Sequence, residues 1–175
     1  PTLIRALDQD YSTPNSVHDM FVRGDTVYAS GGYDGLYIFN FTTVFSQLAV
    51  MTSYPESGYN HSSSLTSDGN TLIFMDEVPS GRGIKSLDVS SMGNLTINQV
   101  FRSNQGNTPH NPYVIGNDIL IAANYTDGLQ VFNISNPSAI YRAGYIDTDT
   151  LINYPSYTQA YHGCWGAYTD LPSGL

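Results

Sequence analysis

Lysine is almost missing from this chain. Lys85 is the only one, and Lys+Arg total 6 against 15 Asp+Glu, for a formal net charge of -9. A chain so short of positive charge has no basic patch with which to hold nucleic acid or an anionic membrane surface. It suits cations, or neutral partners such as sugars and other proteins. Cysteine is reduced to Cys164, so the chain can form no internal disulfide and has no zinc-type Cys cluster. Within "HGCWG" a small buried residue is the simpler reading of that cysteine than a nucleophile. No apolar run approaches the roughly 18–20 residues that span a bilayer. No signal peptide opens the chain, and Pro1 reads as the start of a processed or truncated piece. Sustained helical periodicity with caps is lacking too, which excludes a helical bundle. So are the GxSxG elbow, the HExxH helix, the P-loop and a GxGxxG after a strand.

Tyrosine, Asn, Ser, Thr and Gly fill the space, and they fill it periodically. Four histidines, His18, His61, His110 and His162, recur after 43, 49 and 52 residues. Periods of about 40–50 residues belong to β-propeller blades. After each of the first three histidines comes a short strand, such as "MFVRG" or "PYVIG", then a turn: Gly24-Asp25, Asp68-Gly69-Asn70 or Gly116-Asn117-Asp118. Gly, Asn and Asp tolerate the positive φ that hairpin turns need. A second strand ("TVYAS", "TLIFMD", "ILIAAN"), a loop closing on glycine ("GGYDG", "EVPSGRG", "YTDG") and a third strand ("LYIFNF", "IKSLDV", "LQVFNI") follow. A fourth segment ("QLAVMTSY", "LTINQVFR", "YRAGYID") completes each four-stranded antiparallel sheet.

The expected fold is therefore all-β: a β-propeller of four-stranded antiparallel blades, about three complete, with partial blades at both ends. Residues 1–14 are expected as the outer strand of a preceding blade, 15–58, 59–107 and 108–158 as blades, and 159–175 as the start of a further one. Propellers typically have 4–8 blades. The strand at 2–8 and the one beginning at Leu175 are expected to pair with the rest of a longer polypeptide or with another copy. Leu36, Ile38, Leu87, Val89, Leu129 and Val131 are expected to pack between blades at equivalent positions.

The third strands "GLYIFNFTT", "GIKSLDVSS" and "GLQVFNISNPS", with "PHNPYV" and "YHGCWGAYTDLPSG", resemble the LVIVD-repeat proteins, bacterial surface propellers of the choice-of-anchor B type. The resemblance covers nearly the whole chain from Asn15. Asn40 and Asn133 stand where that family usually has aspartate, and "NHSSSL" is more polar than its typical inner strand. The resemblance implies secretion, an extracellular or cell-surface location, a separate C-terminal anchoring segment, and no established enzymatic activity.

In a propeller the first strand of each blade lines the central channel. All four histidines should then stand near one mouth of it, ringed by the loops that hold Tyr33 and Asp34, Asp76 and Glu77, and Tyr125 and Asp127. Three roles fit a repeated histidine there. It can latch one blade to a backbone group of the next. It can ligate a divalent metal with a neighbouring carboxylate, the one cofactor the residues suggest. Or it can titrate near neutral pH as a catalytic or ligand-binding group. The function expected is a non-enzymatic module that binds or displays a protein or carbohydrate through tyrosines such as Tyr33, Tyr59, Tyr125 and Tyr161. The alternative is a metal-dependent lyase or hydrolase with its histidines at the channel mouth. Asn-x-Ser/Thr occurs at Asn40, Asn60, Asn94, Asn124 and Asn133, and matters only in a eukaryotic host.

Overall fold

Alternating apolar side chains and Gly/Asn/Asp turns produce three antiparallel meanders. The computed structural model describes residues 2–149 and 161–169. The first sheet is β1 (Asp19–Arg23), β2 (Thr26–Ser30), β3 (Leu36–Phe41) and β4 (Phe45–Met51). The second is β5 (Asn60–Leu65), β6 (Thr71–Asp76), β7 (Ile84–Asp88) and β8 (Thr96–Phe101). The third is β9 (Asn111–Ile115), β10 (Ile119–Ala123), β11 (Leu129–Asn133) and β12 (Tyr141–Ile146). Each sheet keeps its strands in chain order. β1 touches β5, and β5 touches β9, so the first strands of the sheets run side by side. The repeat extends to its irregularities: a register shift falls at Ile38/Phe39, Ser86/Leu87 and Val131/Phe132, the same place in each third-to-fourth strand pair.

Two apolar layers lie between the sheets. Leu36 and Ile38 meet Leu72, Phe74, Leu87 and Val89 between the first and second. Ile73, Met75 and Ile84 meet Leu120, Ala122, Phe132 and Ile134 between the second and third. This corrects the expected equivalence. Counted from the glycine that opens each third strand, Leu87 matches Phe39 and Phe132, not Ile38, and faces the preceding sheet. Leu129 and Val131 lie on the far face of the third sheet and are only half-buried. Both faces of a middle sheet are apolar, so alternation alone does not tell one face from the other.

Polar groups join the sheets at their inner strands. Arg23 donates to the carbonyls of Leu65 (3.1 Å) and Thr66 (2.6 Å). Ser62 donates to the His110 carbonyl, and Ser64 Oγ accepts from Val114 N at 3.1 Å. The polar strand "NHSSSL" is buried along its whole length, with the Ser62 and Ser64 hydroxyls bonded to backbone at and just before β9.

The N-terminal segment departs from expectation. In place of an outer strand, Leu7–Gln9 form one 3-10 turn. Asp10 pairs with Arg5 and accepts from Phe45 N (3.0 Å), and the Tyr11 hydroxyl accepts from Gln47 N (2.8 Å). These side chains satisfy the edge of β4 that a strand would have covered. The strand expected to begin at Leu175 lies outside the described residues.

Candidate functional site

The strand pairing brings the sequence candidates to one edge. Asp19 stands opposite Ser30, and Ser30 opposite Leu36, so the head of each inner strand lies beside the loop between strands two and three. His18 and His110 each precede their inner strand by one residue and donate their backbone N–H to Ser30 (2.8 Å) and Ala123 (2.9 Å). His61 differs. In β5, Asn60 pairs with Asp76 and Ser62 with Met75, so the register shifts at His61. A bulge of this kind re-aims the side chain of its extra residue.

The result is a continuous row of rings. Tyr33 meets Tyr59 edge-on at 5.1 Å, and Tyr59 meets His18 at 5.3 Å. His18 to His61 is 4.3 Å and His61 to His110 is 4.2 Å between centroids. His110 then meets Tyr125 at 4.6 Å and Trp165 at 6.1 Å, and Tyr125 meets Tyr161 at 5.4 Å. The position after His110 thus belongs to Trp165. Cys164 bridges to Tyr125 as Asn60 bridges to Gly32, which aligns Cys164-Trp165, not His162, with Asn60-His61. His162 lies exposed two residues before that bridge.

Glu77 sits between two of the imidazoles. Its Oε2 is 3.8 Å from His61 Nε2, and its Oε1 is 3.9 Å from His110 Nε2. The Tyr125 hydroxyl donates to Oε1 at 2.6 Å. Burial, then the hydrogen bond to Glu77 and the Glu77 charge, pushes the Tyr125 phenol up, so it stays a donor. Tyr125 holds this place from a left-handed backbone, φ 40, a conformation uncommon for a residue with a bulky side chain. Ring contacts and one hydrogen bond offset that strain.

The histidines have different partners. His18 Nδ1 lies 3.2 Å from the Tyr59 hydroxyl. His110 Nδ1 lies against the Trp165 carbonyl. The Asn111 amide nitrogen lies 2.9 Å from the same Nδ1 and donates to the Trp165 carbonyl at 2.8 Å, so two contacts at Nδ1 hold the ring with Nε2 toward Glu77. His61 is buried, and its Nδ1 forms no hydrogen bond of normal geometry among the described residues. Burial first, then the His110 charge, depresses its pKa to about 4 against the pull of Glu77; His18 lowers it further, and the His110 backbone raises it only weakly. His61 is a neutral imidazole at neutral pH.

The remaining loop candidates divide. Tyr33 is exposed. Asp34 accepts from the backbone and side-chain N–H of Asn15 (2.7 and 2.9 Å), and Asp127 from Ser103 and Asn104 (2.5 and 3.0 Å). Tyr125 and Asp76, expected on the loop surface, are buried, a correction with a separate cause for each. Tyr125 is covered by its ring neighbours. Asp76 turns inward to Lys85, Nζ to Oδ2 2.5 Å, with neither side chain exposed. Tyr54 donates to the other carboxylate oxygen at 2.7 Å, and Lys85 also donates to the Glu56 carbonyl at 3.0 Å. Asn60 and Asn124 are also buried and make poor glycan acceptors.

Sequence reasoning missed Trp165 and the Asp76–Lys85 pair. A lone lysine inside an apolar third strand was the available signal for the pair. For Trp165 the residue types held no signal, because its place is set by the backbone bridge between Cys164 and Tyr125.

No family model and no curated protein matches the chain. Solved structures do. A protein from Lactobacillus plantarum superposes with a TM-score of 0.58 at 19% identity, over 75% of this chain and 41% of that one. Saccharomyces cerevisiae Sqt1 superposes with a TM-score of 0.57 at 16% identity, over 75% of this chain and 36% of that one. This chain therefore spans less than half the length of either. With the three meanders, these likenesses define the fold as of the β-propeller type. Among the described residues no helix is long and apolar enough to cross a membrane.

Proposed function

We propose that this chain is part of a secreted or cell-surface β-propeller of the LVIVD-repeat kind, which binds a protein or carbohydrate partner through the face that carries the ring row. About three blades lie in this chain, and further polypeptide or a second copy completes the propeller. The observation that carries the binding reading is the exposure of the row's ends: Tyr33 is 71% exposed, Trp165 62% and Tyr161 43%. Rigid aromatic side chains with a polar tip make contact area at little entropic cost. The acidic charge and the scarcity of lysine support a neutral or cationic partner.

Trp165 is the single tryptophan, so its fluorescence reports on this face alone. Titrating the chain with a panel of neutral and amino-sugar oligosaccharides, and with cationic and neutral peptides, should give a saturable change for one class. Tyr33→Ala and Tyr161→Ala should weaken it. A panel in which no member shifts Trp165 emission, or in which both variants bind as the parent does, would overturn the reading. The second reading, a metal-dependent lyase or hydrolase, is favoured by one observation, the convergence of His61, Glu77 and His110.

A further inference from the structure

We infer that His61, Glu77 and His110 form a binding site for one divalent first-row transition metal ion, with the Tyr125 hydroxyl orienting the carboxylate and the Trp165 carbonyl orienting one imidazole. The site stands independently of the partner-binding reading. One ligand atom from each of the three residues lies within 4.8 Å of the others. The approaches of His61 and His110 to the two oxygens of the Glu77 carboxylate, 3.8 and 3.9 Å, exceed by about half an ångström the separation of neighbouring ligands around a zinc ion with bonds of about 2.0–2.1 Å. Small side-chain rotations close that gap.

Three features separate this cluster from a stacked row that only latches sheets. First, the donor set is two imidazoles and a carboxylate, which suits zinc or a divalent iron-type ion and leaves a coordination position open. Second, the outer contacts are those a metal site needs. His110 is held at Nδ1 by the Trp165 carbonyl and the Asn111 amide, its Nε2 faces Glu77, and Tyr125 fixes Glu77. Third, His61 is buried with its Nε2 turned to the Glu77 carboxylate. Its side chain is 6% exposed, its Nδ1 has no hydrogen bond of normal geometry, and the bulge at His61 turns it toward Glu77. His18 stacks on His61 and meets the Tyr59 hydroxyl through Nδ1, but it lies outside the group whose ligand atoms come within 4.8 Å of one another, so it backs the site.

The test uses chelator-treated full chain. Zinc titrated by calorimetry should bind at one equivalent. Cobalt(II) should give visible bands of a four- or five-coordinate site, displaced by zinc. Glu77→Gln keeps the shape and the Tyr125 contact, and His110→Gln removes one ligand. Each should weaken binding at least tenfold while circular dichroism stays that of the parent. Failure of the parent to bind either ion at one equivalent overturns the inference, as does unchanged affinity in both variants, which would place the ion elsewhere on the surface. Trp165 emission read with the partner panel in the presence of chelator keeps the two proposals apart.

Discussion

Asp76→Asn tests the interior of the second sheet more sharply than any cavity mutation. The substitution keeps the size and the acceptor for the Tyr54 hydroxyl, and removes only the charge opposite Lys85. Lys85 is then left with the Glu56 carbonyl at 3.0 Å and the weaker pull of the Glu56 charge, inside a site where its own exposure is 0%. Burial already lowers the Lys85 pKa, against the raising pull of Asp76. Without Asp76 the ammonium must either stay charged and buried or lose its proton. Losing the proton at pH 7 costs about 1.4 kcal/mol for each unit below the usual value near 10.4, or roughly 4–5 kcal/mol. That figure caps the penalty, and it agrees with the roughly 3–5 kcal/mol found when one partner of a buried pair is removed.

The two outcomes differ in pH dependence, and the sign is fixed. If native Lys85 is neutral in the variant, the unfolded chain binds one more proton than the native one. Stability then rises with pH by about 1.4 kcal/mol per unit between pH 7 and the unfolded pKa. Urea unfolding of parent and variant at a series of pH values from 7 to 9.5 reads both terms. A loss below about 1 kcal/mol at pH 7 would refute a dry, closed site. A full loss without the slope would show the ammonium kept charged by groups other than Asp76.

Two further predictions concern the ring row and the turns. Unfolded histidine titrates near pH 6.5 and native His61 at about 4. Between these values the unfolded chain takes up the extra proton, so stability falls as pH falls from 6.5 to 4, by about 3 kcal/mol. His61→Gln should abolish that part of the slope in acid-dependent melting, and an unchanged slope would exclude His61 as its source. Gly128 has φ +71, and a Cβ there would meet the Ile146 carbonyl oxygen at 2.2 Å, whereas Gly116, φ +63, has open space around it. Gly116→Ala should cost about 1 kcal/mol from backbone conformation alone, and Gly128→Ala substantially more. Equal melting points for the two variants would contradict the close approach of β12 to that turn.

The parts of this molecule that repeat were legible in its sequence, and the parts that break the repeat were not. Turn glycines and alternation mark the three meanders because every sheet must solve the same local problem at the same offset. The same periodicity aligned four histidines as equals. One inserted residue in β5 makes His61 a bulge, and one bridge places Cys164-Trp165 where His162 was expected. Neither event leaves a sign in residue types, since both are decided by which backbone groups pair across sheets. Asp76 and Glu77 show the limit most directly. They are adjacent acidic residues with the same reading in sequence, yet strand alternation sends one inward to Lys85 and the other to the imidazoles of His61 and His110. A single register step therefore separates the charge that stabilises the interior from the charge that can hold a metal.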